Sequence, residues 1–228
     1  MIISQPKVYV PDNELQNEVI RKLERYARVC YKSEEKMEKS NSSSFLSSII
    51  NKGHESIIEH EKATVMFIVD RGISHEIVRH RLAAYSQEST RYCNYSSDKF
   101  SNEISVIEPF FFIGKPSYDI WKLACLTAEK SYMDMLNNNN SPQEARSVLP
   151  NSLKTEIVVT YNYREWRHFF KLRCSPAAHP QMRQVAIPLL LLFQERLPVL
   201  FDDIKYDTAF PQINYAEIII TDELFNRS

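Results

Sequence analysis

The run Lys7-Val8-Tyr9-Val10 predicts a short strand, and apolar residues at helical spacing then predict a helix over 13–30. A second helix is expected over 43–51, stopping at Gly53 as a C-terminal cap, with a polar loop with helical ends at 33–44 between the two. The β-branched stretch 64–69 reads as a strand closed by an Asp70-Arg71-Gly72 turn, and Ser74 is placed to cap a helix carrying His75 to Arg81. Residues 84–97 have no clear period and read as an ordered loop; 104–107 is a short strand before Pro109. A helix over 118–136 runs into four asparagines at 137–140, read as a solvated loop. Ser141-Pro142-Gln143-Glu144 is a capping box with proline at the first helical position, opening a short helix that carries Arg146 and ends at Pro150. The stretch 153–161 reads as a strand, and Asn162 caps a helix through Arg173. A long helix over 180–201, kinked or interrupted at Pro188, ends the pattern. With no repeat and no linker, the expectation is one domain over 1–228, of α+β or mixed α/β class.

Glycine changes the picture most, because Gly53, Gly72 and Gly114 are the only three in the sequence. Phosphate loops built from backbone N–H groups need clustered glycines, so any nucleotide here must be gripped by side chains. A net charge of -1 offers no global field for nucleic acid or an anionic membrane. Cys30, Cys93, Cys125 and Cys174 are too scattered for a zinc ribbon or a disulfide scaffold. The start shows no basic segment followed by an apolar core, and 187–193 is too short to span a bilayer. A cytoplasmic protein without membrane or nucleic-acid partners is therefore expected.

The chemistry concentrates between Arg79 and Arg91, where three arginines and His80 accompany Ser86, Gln87, Glu88, Ser89 and Thr90. Guanidinium groups match phosphate oxygens in pairs, and short hydroxyls and amides suit a ribose or base edge. On a helix Arg79 and Arg81 diverge by about 200°, so they would serve two anions or two subunits. A solvated charged face pairing with Glu76 and Glu88 is an equal alternative from composition alone.

Arg79-His80-Arg81, seven residues and then Ser89 resembles the RHR-x7-S signature of the flavin-dependent thymidylate synthases, continued by Thr90-Arg91-Tyr92. Further blocks follow in family order: Ala27 to Cys30, Gly53-His54-Glu55-Ser56 with Glu59-His60, Ala145-Arg146 with Leu149-Pro150, and Asn162-Tyr163-Arg164-Glu165-Trp166 through His168 to Arg173. The resemblance covers roughly residues 27–186 and implies a central antiparallel sheet flanked by helices. It also implies FAD as cofactor, NADPH and methylene-tetrahydrofolate as co-substrates, dUMP as substrate, and a homotetramer with shared active sites. By resemblance FAD is held by Ser56, Arg79, His80, Arg81, Gln87, Asn162, Arg164 and His168. The dUMP set is Glu76, Arg79, Gln87, Glu88, Ser89, Thr90, Arg91, Arg146 and Arg173, with Arg173 also catalytic as the group that polarises the uracil. His54 is expected on the folate side. Glu76 stands where many members have glutamine, Gln87 replaces an acid, His168 an asparagine, and 177–181 departs from the usual arrangement.

Other chemistries fit less well. Cysteine-dependent thymidylate synthases need an activated thiolate; only Cys174, beside Arg173, has a basic neighbour, and packing is the commoner role of such a residue. Ser89 lacks an evident base for acyl transfer. No metal is expected, since the pairs His54/His60 and His75/His80 miss the i, i+4 zinc spacing and Ile58 stands where a second ligand would be. Trp166, Phe169 and Phe170 read as core. A non-catalytic nucleotide- or flavin-binding protein that keeps the fold is one alternative, and an RNA-binding module using Arg81, Arg91, Tyr92 and Tyr95 is another.

Overall fold

In the computed structural model, which describes residues 1–95 and 102–222, strand β1 (Ile2–Ser4) precedes the expected β2 (Lys7–Pro11). Helices α1 (Glu18–Tyr31) and α2 (Ser42–Asn51) lead to β3 (Lys62–Asp70), α3 (Arg71–Ile77), β4 (Ala83–Gln87) and β5 (Ser105–Ile107). Then come α4 (Pro116–Asn137), α5 (Pro142–Ala145), β6 (Lys154–Asn162), α6 (Tyr163–Arg173), α7 (Pro180–Arg196), α8 (Pro198–Phe201) and β7 (Glu217–Thr221). The strand order is β4-β6-β3-β2-β7 in a five-stranded sheet, and β1 pairs in parallel with β5, Ile2 opposite Ser105. The mixed α/β class is as expected. Among the described residues no helix is long and apolar enough to cross a membrane.

The described residues fall into two compact units, one drawn from 1–7, 67–79 and 86–158, the other from 8–66, 80–85 and 159 onward. The first has its core around Ile104, Val106, Cys125, Tyr132 and Leu153, with Tyr95 buried beside them. The asparagine run does more than form a solvated loop. Asn139 takes a left-handed φ of 65°, its N–H bonds to the Leu136 carbonyl and that of Asn140 to Met135, which closes α4 as a Schellman cap. Ser141 and Glu144 make the expected capping box, the carboxylate accepting from the Ser141 N–H at 2.7 Å.

The second unit has its core on one face of α6, where Trp166, Phe169 and Phe170 pack with Phe193 and Phe201, all fully buried. The Trp166 indole N–H donates to the Ala63 carbonyl at 3.0 Å, satisfying the ring's polar atom. Gly53 caps α2 as expected: at φ +80° its N–H reaches the Ile50 carbonyl and that of His54 reaches Ile49. A Cβ at Gly53 would meet nothing within 4 Å, so the cost of Gly53→Ala is conformational only. It is expected to be about 1–2 kcal/mol, read as a lower urea midpoint; an unchanged midpoint would show that the left-handed cap contributes nothing.

Four expectations need correction. Residues 70–72 are not a turn: Asp70 is the N-cap of α3, its Oδ1 accepting from the Ile73 N–H at 2.7 Å, and a Cβ on Gly72 would press on that oxygen at 3.1 Å. Ser74 therefore lies inside the helix, donating to the Arg71 carbonyl, and Arg79 to Arg81 fall beyond the helix end. The loop at 84–97 is in part β4, whose inward residues are Ala83, Tyr85 and Gln87, so no aliphatic alternation betrays it; 96 and 97 lie outside the described residues. Pro188 sits within α7 without ending it; the break comes at Leu197, whose conformation before Pro198 is non-helical.

Candidate active site

In the first unit, the Asp70 cap and the strand that follows bring polar groups together from distant positions. The Arg71 guanidinium donates to the Glu88 carbonyl at 3.3 Å and to the Thr155 hydroxyl at 3.4 Å. Gln87 donates to the Ser74 hydroxyl at 2.9 Å and to Thr155 at 3.2 Å. A cavity of about 500 Å³ opens here, lined in part by Arg71, His75, Thr90, Gln143 and Arg146. Arg146 is exposed and reaches the buried Thr90 hydroxyl at 3.4 Å. Two guanidinium groups, an imidazole and a hydroxyl around one hollow suit an anion with several oxygens.

Of the expected substrate residues in this unit, Thr90 and Arg146 share that cavity, while the others are arranged otherwise. Glu88 is turned inward, accepting from the Tyr95 hydroxyl at 2.9 Å with Lys154 3.4 Å away. Burial, together with that carboxylate, pushes the Tyr95 phenol far above its ordinary range. Ser89 shapes a turn: its hydroxyl accepts from the Arg91 N–H and its carbonyl from Tyr92 and Cys93. Arg91 is exposed with its guanidinium 5.5 Å from the Tyr92 ring centre. Arg79 is exposed and Glu76 half-buried, its carbonyl accepting from the Arg79 N–H. Sequence reasoning missed Arg71 and His75; the signal was the Asp70 cap, which puts both on α3.

In the second unit His80 is the centre. It is buried, and its Nδ1 lies 2.8 Å from Glu165 Oε1 while Arg173 Nε donates to its Nε2 at 3.2 Å. The Tyr85 hydroxyl donates to the His80 carbonyl and lies 2.9 Å from the Tyr161 hydroxyl. Burial lowers the His80 pKa, Arg173 and His168 push the same way, and Glu165 opposes without overcoming them, which favours the neutral ring. Asn162 caps α6 by accepting from the Glu165 N–H at 2.9 Å. The helix period then sends Trp166 and Phe170 into the core and leaves Arg164 and His168 exposed.

Glu55, Leu82, Arg164, Glu165, His168 and Lys171 line a cavity of about 420 Å³ in this unit. Arg164 pairs with Glu59 at 2.5 Å, both side chains roughly half exposed. Such exposed pairs are worth only about 0–1 kcal/mol, so an arriving phosphate can take over the guanidinium. Arg81 and Ser56 are exposed; His54 is exposed with its Nδ1 3.2 Å from the Tyr31 hydroxyl. Cys174 is buried, and desolvation alone pushes its thiol far upward, so it is a packing residue rather than a nucleophile. His80, Glu165 and His168 present ligand-type atoms within 4.8 Å of one another, a grouping that local histidine spacing could not reveal. Both ring nitrogens of His80 are already hydrogen-bonded, one to Glu165 and the other to Arg173. Sequence reasoning also missed Glu165, Leu82 and Lys171; an acid three residues after a helix-capping asparagine was the available sign.

Residues 15–199 match the family model described as thymidylate synthase complementing protein. The chain is 34% identical over 184 residues to the flavin-dependent thymidylate synthase of Geobacter sulfurreducens, covering 78% of each chain. It is 33% identical over 187 residues to that of Pyrococcus furiosus, covering 81% of this chain and 71% of the other. Among solved structures, the UMP/dUMP methylase PolB from Streptomyces cacaoi, bound with 5-Br dUMP, aligns with a TM-score of 0.73 at 18% identity, over 89% of this chain and 96% of that one. At that identity the likeness speaks for the fold.

Proposed function

Because this chain belongs to the thymidylate synthase complementing protein family, the flavin-dependent thymidylate synthases, we propose that it converts dUMP to dTMP with FAD as its cofactor. In this reading NADPH is the reductant and methylene-tetrahydrofolate the carbon donor. The observation that carries it is His80 in contact with both Glu165 and Arg173, with Arg164 and His168 exposed on the same helix beside a cavity.

The donor set fits FAD. Arg164, Lys171 and Arg81 are cations for a pyrophosphate, and Leu82 offers an apolar surface to a planar ring. Ser56, Asn162, His168 and Gln87 complete the proposed set, with Arg79 serving FAD and dUMP alike. When bound, the flavin supplies the hydride that reduces the one-carbon unit. The chain's own residues bind and polarise. Arg146, Thr90 and Arg91 take the dUMP phosphate, Glu76, Gln87, Glu88 and Ser89 complete the nucleotide set, and His54 faces the folate. Arg173 stabilises negative charge on the uracil, a task that suits a preorganised guanidinium donor. A homotetramer, a single family domain over 1–228 and a cytoplasmic setting belong to the same proposal.

The test is an absorption spectrum of the purified chain after incubation with FAD and removal of unbound cofactor, followed by titration with dUMP. A retained flavin band that shifts with dUMP is expected. No retained flavin, or a band indifferent to dUMP, would contradict the reading.

A further inference from the structure

We infer that Glu165 and His80 are positioning residues that orient Arg173 through two successive hydrogen bonds, and that His80 does so only as the neutral ring with its proton on Nδ1. What Arg173 is oriented toward rests on the proposed function; the chain of bonds itself does not.

A guanidinium has donors and no acceptor. The contact of Arg173 Nε with His80 Nε2 at 3.2 Å therefore requires Nε2 to be unprotonated. The ring's one proton must then sit on Nδ1, where it donates to Glu165 Oε1 at 2.8 Å. Neither the other tautomer nor the imidazolium satisfies both bonds, because each would set an N–H against the Arg173 N–H.

Each link is held from behind. The Glu165 N–H is fixed on the Asn162 side chain, and its carboxylate lies in the first turn of the eleven-residue α6, the end that favours negative charge. His80 is held through its carbonyl by Tyr85, which is tied to Tyr161. Its ring is walled by Phe169 at 5.1 Å, His168 at 5.4 Å and Tyr161 at 5.9 Å between centroids. His80 is 4% exposed and Glu165 7%. Glu165 and Arg173, at opposite ends of α6, are thus bridged by a ring that enters from another segment. Both nitrogens of His80 are hydrogen-bonded within the unit, and in the Arg79-His80-Arg81 triplet the two arginines are the exposed members.

Two variants separate orientation from packing. Leucine at 165 fills similar space without an acceptor, whereas glutamine keeps an oxygen for the Nδ1 proton. Glu165→Leu is expected to lower kcat for dTMP formation by up to about a hundredfold, the cost of displacing a reacting group by about 1 Å, with KM for dUMP nearly unchanged. Glu165→Gln should recover most of that loss. If leucine matches the wild type, or glutamine is as poor as leucine, the orienting role is overturned. Long-range 15N–1H NMR of the labelled full chain reads the tautomer without turnover, the His80 signal being assigned by its loss in His80→Asn. The Nδ1–H form at neutral pH is expected in the wild type and in Glu165→Gln; an Nε2–H form or an imidazolium would overturn the proposal. Because this readout needs neither flavin nor substrate, it stands even if the chain makes no dTMP.

Discussion

Arg173→Ala is expected to cut dTMP formation by about two to three orders of magnitude, the cost of removing one preorganised donor from developing negative charge, while FAD remains bound. Arg173 lies at the last turn of α6, half-buried, with its Nε on His80. Arg173 is only half-buried, whereas Trp166, Phe169 and Phe170 are fully buried and keep the α6 core in its absence, so the variant should fold and keep its flavin band. Lysine would be a poor substitute, since its single ammonium cannot both donate to His80 and present a planar fork. The measurement is kcat beside flavin retained per chain. Unchanged turnover would remove Arg173 from the chemistry; loss of flavin and turnover together would make it a cofactor-binding or structural residue instead.

The second large effect is on stability. Glu24 is completely buried in α1, paired with the nearly buried Arg28 at 2.6 Å, and accepts from Ser40 and Ser42, which tether the segment between α1 and α2. Burial pushes its carboxyl up, but Ser40, Ser42 and Arg28 together overcome this and hold it below its ordinary range. Glu24→Ala strands the Arg28 charge, a loss of about 3 kcal/mol. The low end of the range for broken buried pairs applies because Arg28 still reaches Ser33 and lies over the Phe45 ring at 4.2 Å. Urea unfolding measures it; an unchanged midpoint would show the pair to be dispensable.

Both buried groups give the same sign with pH. Glu24 is depressed in the fold, so its contribution is present above the ordinary carboxylate value and fades as pH falls through the folded one. His80 is also depressed, so its neutral form favours the fold above the ordinary histidine value, and acid withdraws that too. Removing either group should flatten the acid side of the stability curve.

The sequence made legible those elements whose caps and periods act locally. Asn162 announces α6, the Ser141-Glu144 box announces α5, and Gly53 ends α2 with the geometry its φ of +80° demands. It misled where a polar residue had two possible roles. Ser74 and Asp70 both qualify as caps, and the aspartate that also suits the preceding strand's end prevails. β4 was hidden because its inward side chains, Tyr85 and Gln87, bury through hydrogen bonds rather than aliphatic packing. The members of the triplet divide: Arg79 and Arg81 reach solvent while His80 is buried. That division follows from Glu165, which lies 85 positions away in the sequence and meets His80 only in the fold.

The central claim is turnover. The purified chain, supplied with FAD, dUMP, NADPH and methylene-tetrahydrofolate, should form dTMP, measured by chromatography, and omission of FAD or of the folate should abolish it. Flavin and dUMP bound in full occupancy with no dTMP formed would contradict the account and leave a nucleotide- and flavin-binding protein that keeps the fold.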